Sequence, residues 1–116
     1  MISWREGETY AADFYKNRGY HIEERNFRTP RGEIDIIATR ENTLVCAEVK
    51  TWRKMPLDSI EYSINRKKQR TYIQLCSSYI DMNPRFRAYY VRFDVVYINA
   101  SSGQIKHIAD AFMENG

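Results

Sequence analysis

The sequence has little cysteine, no long apolar run and no repetitive or linker-like stretch, and each absence removes a class of protein. Its two cysteines, Cys46 and Cys76, lie far apart, with no CxxC pair and no metal-ligand spacing. A disulfide scaffold and a cysteine-ligated metal site are therefore excluded, and two reduced core thiols are expected. No stretch approaches the roughly 18 consecutive apolar residues that a membrane span needs. The opening Met1-Ile2-Ser3-Trp4-Arg5-Glu6 has no apolar core of the kind a secretory signal carries. His21 and His107 have no serine or cysteine partner in a recognisable arrangement, and both read as structural. With no internal repeat, low-complexity segment or linker, residues 1–116 are expected to form one domain, cytoplasmic and free of membrane.

What is present supports a packed core. Hydrophobic residues make up 43% and aromatic residues 14% of the chain, more than a disordered segment would hold. The 18 Lys and Arg against 15 Asp and Glu leave a formal net charge of +3, which permits a nucleic-acid partner without requiring one. Should several acids gather in one site, the remaining surface is more positive than this total.

Ser3-Trp4-Arg5-Glu6 has the form of a capping box, and Ala11, Phe14, Tyr15 and Arg18 follow at helical spacing. Gly19 is a natural stop, so the first helix is expected from about Trp4 to Arg18. Residues 20–27 read as a strand, and Thr29-Pro30-Arg31-Gly32 as a turn. Residues 33–39 and 43–51 are rich in β-formers and are separated by only Arg40-Glu41-Asn42, which predicts a hairpin. A looser stretch follows Lys50, with a short helix placed after Pro56. Asn65 caps a second helix over 66–81, whose buried side is predicted as Tyr72, Ile73, Cys76 and Ile80. Residues 88–99 and 104–108 read as the last two strands. The predicted order is α-β-β-β-α-β-β, an α/β domain.

The hairpin carries the chemistry. Side chains two apart on a strand share a face, so Glu33 groups with Asp35, and Glu48 with Lys50. A two-residue loop at Glu41-Asn42 pairs Arg40 with Thr43, and this register sets Asp35 opposite Glu48 and Glu33 opposite Lys50. Like charges so placed are destabilising. A divalent cation relieves them, and hard oxygen ligands favour Mg²⁺ or Mn²⁺ over zinc. Lys50 beside the metal-bound water would stabilise charge developing on a phosphate. The plain alternative is that these charges are merely solvated on a half-exposed strand. Against it, Asp is depleted in strands, yet Asp35 interrupts the apolar run Ile34, Ile36, Ile37.

Gly32-Glu33-Ile34-Asp35 followed by Glu48-Val49-Lys50-Thr51 resembles the catalytic motif of the PD-(D/E)XK nuclease superfamily. The chain is most similar to the YraN-like family of predicted endonucleases, and more distantly to archaeal Holliday-junction resolvases. Gly7-Glu8 with Ala11, Phe14, Tyr15, Gly19 and Tyr20, then Arg25-Asn26-Phe27-Arg28, Lys68-Gln69-Arg70 and Arg92-Phe93-Asp94-Val95-Val96, extend the likeness over nearly the whole chain. His107, Ile108, Ala111 and Phe112 resemble the family's ending. The resemblance implies a restriction-endonuclease-like mixed sheet flanked by helices, and a metal-dependent endonuclease with Mg²⁺ or Mn²⁺ as cofactor. It implies metal ligation by Asp35 and Glu48, with Lys50 as the catalytic lysine. Taken alone, Glu8 is a first-turn glutamate favoured by the helix dipole; the resemblance implies that it joins the same catalytic and metal site. Glu33 stays open between accessory metal ligand and ion-pair partner of Lys50. Two departures stand out: Trp52 splits the Thr-Arg pair expected after the lysine, and Lys54-Met55-Pro56-Leu57 lacks the glycine common there.

Basic residues cluster at Arg25, Arg28 and Arg31, and again at Lys50, Arg53 and Lys54. Both clusters would flank a groove over the hairpin and position phosphates without reading sequence. The run Arg66 to Arg70 reads first as a solvated helix start, with Lys68 and Gln69 as its candidates to face a nucleic acid. Trp52 either stacks on a base or packs in the core. The leading expectation is a nuclease acting on DNA rather than RNA, with branched or damaged forms as the candidate substrates. The rivals are a binding module without catalysis and a subunit active only with a protein partner; a homodimer would suit cleavage of two strands.

Overall fold

The computed structural model describes residues 1–53 and 65–112. Its elements are α1 (Trp4–Asn17), β1 (His21–Thr29), β2 (Gly32–Arg40), β3 (Thr43–Trp52), α2 (Arg66–Met82), β4 (Tyr90–Asn99) and β5 (Ile105–Phe112), with a 3-10 turn at Pro84–Phe86. The order is the predicted α-β-β-β-α-β-β. Five strands form one sheet in the order β1-β2-β3-β4-β5. Neighbours are antiparallel except β3 and β4, which run parallel through the crossover that contains α2. The helix predicted after Pro56 and the basic Lys54 lie outside the described residues. Among the described residues, no helix is long and apolar enough to cross a membrane.

Local chemistry accounts for the boundaries. Ser3 caps α1, accepting from the Glu6 N–H at 3.1 Å while the Glu6 carboxylate accepts from the Ser3 N–H at 3.0 Å. The helix ends at Asn17, one residue before its predicted stop. The first strand runs two residues beyond its predicted end, because the turn is confined to Pro30 and Arg31 and lets Thr29 pair with Gly32. The last strand is longer than predicted, running on to Phe112 and pairing it with Phe93.

The two helices cover opposite faces of the sheet, as two separate cores show. Ala11, Ala12 and Tyr15 of α1 pack with Ile36, Val45 and Val96, whereas Tyr72, Leu75, Cys76 and Tyr79 of α2 pack with Phe27, Leu44 and Tyr97. Ile73 and Ile80, predicted as buried, are only partly so; Leu75 and Tyr79 take those places, since the inward stripe of α2 lies slightly around the helix from the predicted one. Trp52, half-buried, packs on this side against Tyr97, with ring centroids 4.9 Å apart, as its core-packing reading expects.

One close approach fixes α1 in place. A methyl group at Gly7 would land on the Thr51 hydroxyl and lie 3.2 Å from its Cβ. Gly7→Ala is therefore expected to destabilise the chain by about 1–3 kcal/mol, the scale of forced overpacking. Urea unfolding followed by circular dichroism checks this, and an unchanged midpoint would mean that the helix shifts without cost.

Candidate active site

The site forms where the regular hairpins break down. Between β2 and β3 the predicted register holds from Arg40–Thr43 to Ile36–Ala47 and stops there. Asp35 does not continue the ladder; its Oδ2 accepts from the Val49 N–H at 2.8 Å. On the other side, Asn26 and Asp35 fall between the paired Arg25–Ile36 and Phe27–Ile34. Asn26 has a φ of 57°, left-handed backbone that Asn tolerates better than most residues. Residues two apart on a regular strand share a face. Here Ile34 joins the α2 core and Ile36 the α1 core, so the strand turns over at Asp35.

That turn gathers carboxylates. Ligand oxygens of Glu8, Glu33 and Asp35 all lie within 4.8 Å of one another. With its amide nitrogen facing them, Asn26 donates to Glu8 Oε1 at 3.1 Å and to Glu33 Oε1 at 2.6 Å. Glu8 is buried on α1, and this burial, opposed by Asn26, raises its carboxyl above the ordinary range. Burial pushes Asp35 up to about 7; the Val49 N–H works against this, while Glu8, Glu48 and Glu33 push it further. Glu48 is 5% exposed. Its Oε1 is ion-paired with the Lys68 ammonium, and its Oε2 is buried with no hydrogen-bond partner.

A hard divalent cation fits these donors. Three carboxylates each bring an oxygen within 4.8 Å of the others, close enough to converge on one ion with small side-chain adjustments, and a fourth offers a buried oxygen without a hydrogen-bond partner. Asp35 and Glu48 line one cleft of about 470 Å³ with Arg31, Lys67, Lys68 and Tyr72 among its other walls.

The remaining predicted residues are placed differently from one another. Glu33 does not face Lys50. It pairs with Arg28 across the first hairpin at 2.8 Å, because the second hairpin has already opened before reaching it. The Lys50 ammonium instead lies over the Trp52 ring, 5.7 Å from its centroid. Arg25 donates to Thr9 on α1 at 3.2 Å, and Arg53 is exposed at the end of β3. The basic residues Arg66, Lys67, Lys68 and Arg70 are exposed, as the solvated reading of that run expects, but Lys68 also reaches Glu48 in the cleft, and Gln69 beside it is half-buried. Sequence reasoning gave Asn26 no role, although its place in the Arg25-Asn26-Phe27-Arg28 motif was the available signal.

A second polar cluster, also unassigned in the sequence, lies on the α1 face. Asp94 is fully buried and accepts from Arg92 twice at 2.9 Å, from Tyr15 at 2.7 Å and from the Asp110 N–H at 3.0 Å, with His107 Nε2 at 2.8 Å. Burial alone would raise its carboxyl, but the bonds from His107, Arg92, Asp110 and Tyr15 hold it well below the usual range. This cluster ties α1 and β5 to β4.

A mixed five-stranded sheet between two helices, with carboxylates gathered where two strands part, defines an α/β domain with an acidic candidate active site. Within that class the chain belongs to the UPF0102, or YraN-like, family. The model described as "Uncharacterised protein family UPF0102" matches residues 7–98, a span that holds all four site acids. A UPF0102 protein of Thermodesulfovibrio yellowstonii is 44% identical over 108 residues, 93% of each chain. One from Clostridium botulinum is 44% identical over 110 residues, 91% of this chain and 89% of its own. One from Persephonella marina is 39% identical over 115 residues, 97% of each.

Proposed function

We propose that the protein is a metal-dependent nuclease of the PD-(D/E)XK type that hydrolyses phosphodiester bonds in DNA, working in the cytoplasm. The observation that carries this reading is the meeting of Glu8, Glu33 and Asp35 beside a cleft that also holds Glu48 and the cations Arg31, Lys67 and Lys68. Acids alone would suit any divalent-cation site; acids walled by cations suit an anionic substrate brought to a metal. When bound there, Mg²⁺ or Mn²⁺ polarises the phosphoryl oxygen and lowers the pKa of its water. Asp35, Glu8, Glu33 and Glu48 would hold the ion. Arg31 and Lys67 would position neighbouring phosphates, and Lys50 would stabilise charge developing on the one attacked. The two thiols, Cys46 and Cys76, are buried and free, which suits a reducing compartment.

Labelled duplex, single-stranded, flap and four-way-junction DNA, incubated with Mg²⁺ or Mn²⁺, tests the reading directly. Wild type should cut at least one form, branched DNA best, while Asp35→Asn and Lys50→Ala should not. A folded wild type that binds Mn²⁺ but cuts none of them, nor the matching RNAs, would favour a binding module or a partner-dependent subunit.

Metal should also stabilise the fold in a pH-dependent way. A cation that binds only the folded chain raises its stability in proportion to the logarithm of its concentration. Protons compete for Asp35 below about pH 7. The melting temperature is expected to rise with added Mn²⁺ at pH 8 and to rise far less at pH 5.5. An equal rise at both values would place the bound ion elsewhere.

A further inference from the structure

Among the described residues, Glu48 is the one site acid with a buried oxygen that has no hydrogen-bond partner. Its Oε1 is taken by the Lys68 ammonium, and its Oε2 is buried with nothing to bond to. Buried carboxylates are costly unless paired on every side. Glu8, Glu33 and Asp35 come together within 4.8 Å without Glu48, although Glu48 lines the same cleft as two of them. The Lys68 side chain is 44% exposed whereas that of Glu48 is 6% exposed. Lys68 can thus swing its charge into solvent at little cost, and Glu48 cannot.

We infer that Lys68 is a positioning residue, an internal counter-cation that neutralises Glu48 and competes with the divalent cation for that carboxylate. The inference rests on the proposed metal site and goes one step beyond it. An ion that takes Glu48 displaces the Lys68 ammonium, which then lies free at the cleft wall beside Lys67 and Arg31, where a phosphate would meet it. Metal entry and phosphate binding are in this way coupled through one side chain. The two lysines divide the work, with Lys50 on β3 acting on the reaction and Lys68 on α2 regulating access to Glu48.

Calorimetric titration with Mn²⁺ and urea unfolding in EDTA, on wild type, Lys68→Ala, Lys68→Gln, Lys67→Ala and Asp35→Asn, test this. Lys68→Ala is expected to bind Mn²⁺ about two- to fivefold more tightly than wild type, the worth of removing one partly exposed ion pair. The same variant should unfold at lower urea, because Glu48 is left buried without its cation. Opposite signs distinguish competition from a purely structural role, which would weaken both. Lys68→Gln, which keeps a donor for Glu48, should fold well and still bind Mn²⁺ more tightly. An unchanged or weaker affinity in both Lys68 variants overturns the inference, as does an equal gain in Lys67→Ala, which would mark a general field effect. If wild type shows no saturable binding, or Asp35→Asn binds as well as wild type, the metal site itself is wrong.

Discussion

Asp35→Asn is expected to lower metal-dependent cleavage by on the order of 10³-fold, the scale of losing one preorganised electrostatic group. The same substitution should make the chain more stable at pH 8 in EDTA. Asn keeps an oxygen for the Val49 N–H, so the 2.8 Å bond to β3 survives. What it removes is a charge that burial, Glu8, Glu48 and Glu33 all oppose. The sign of the pH dependence follows from linkage. In the unfolded chain Asp35 ionises near its ordinary pKa of about 4, and in the folded chain near about 7. Between these values the folded state holds the extra proton, so wild-type stability falls as pH rises through that window. Above it the full penalty applies, roughly 2–4 kcal/mol. Asp35→Asn should match wild type at pH 4 and exceed it at pH 8, and Mn²⁺ should reverse the order by stabilising wild type alone. Chemical unfolding at the two pH values measures both effects. A variant less stable than wild type at pH 8 in EDTA would mean that Asp35 sits comfortably ionised and needs no cation to relieve it.

The features legible in the sequence were those set by local rules. The capping box at Ser3, the two-residue turn at Glu41-Asn42 and the order of elements all follow from a few adjacent residues. The register of the second hairpin was legible near its turn for the same reason, and it holds as far as Ile36 and Ala47. It could not be extended to Glu33 and Lys50, because β2 leaves the ladder at Asp35, beside Asn26 of β1 with its left-handed backbone. Periodicity carries no sign of such a turn. The Lys68–Glu48 pair was hidden likewise, since it joins β3 to a helix across residues 54–64. Acids that share a site are visible as residue types; the cation that answers each of them is decided by packing.

Asp94 illustrates this last point most sharply, and its replacement carries the largest expected loss of stability. In sequence it is one acid in the strand Arg92-Phe93-Asp94, indistinguishable in kind from Asp35. In the structure it has no exposure and four kinds of donor, where Asp35, among the described residues, has one donor and three acids nearby. Asp94→Asn would turn an amide nitrogen toward donors and leave Arg92, itself bonded to Tyr20 at 2.8 Å, without its counter-charge. The expected loss is about 3–5 kcal/mol, as for a broken buried pair, or a melting temperature lower by about 15 °C. Here the linkage runs opposite to that of Asp35. A carboxyl held low in the folded state contributes stability above its unfolded pKa of about 4, and that contribution is lost only as pH falls through the depressed folded value. The gap between wild type and Asp94→Asn should therefore stay constant from pH 8 to pH 5, while the gap for Asp35→Asn narrows over the same range. Because Tyr15 anchors α1 to Asp94, the loss should also loosen Glu8 at the far end of that helix. Mn²⁺ affinity measured at 10 °C, where the variant stays folded, is expected to fall modestly. A stability loss below about 1 kcal/mol would show the cluster to be replaceable, with α1 held by its packing on Ile36, Val45 and Val96 and by the Gly7–Thr51 contact.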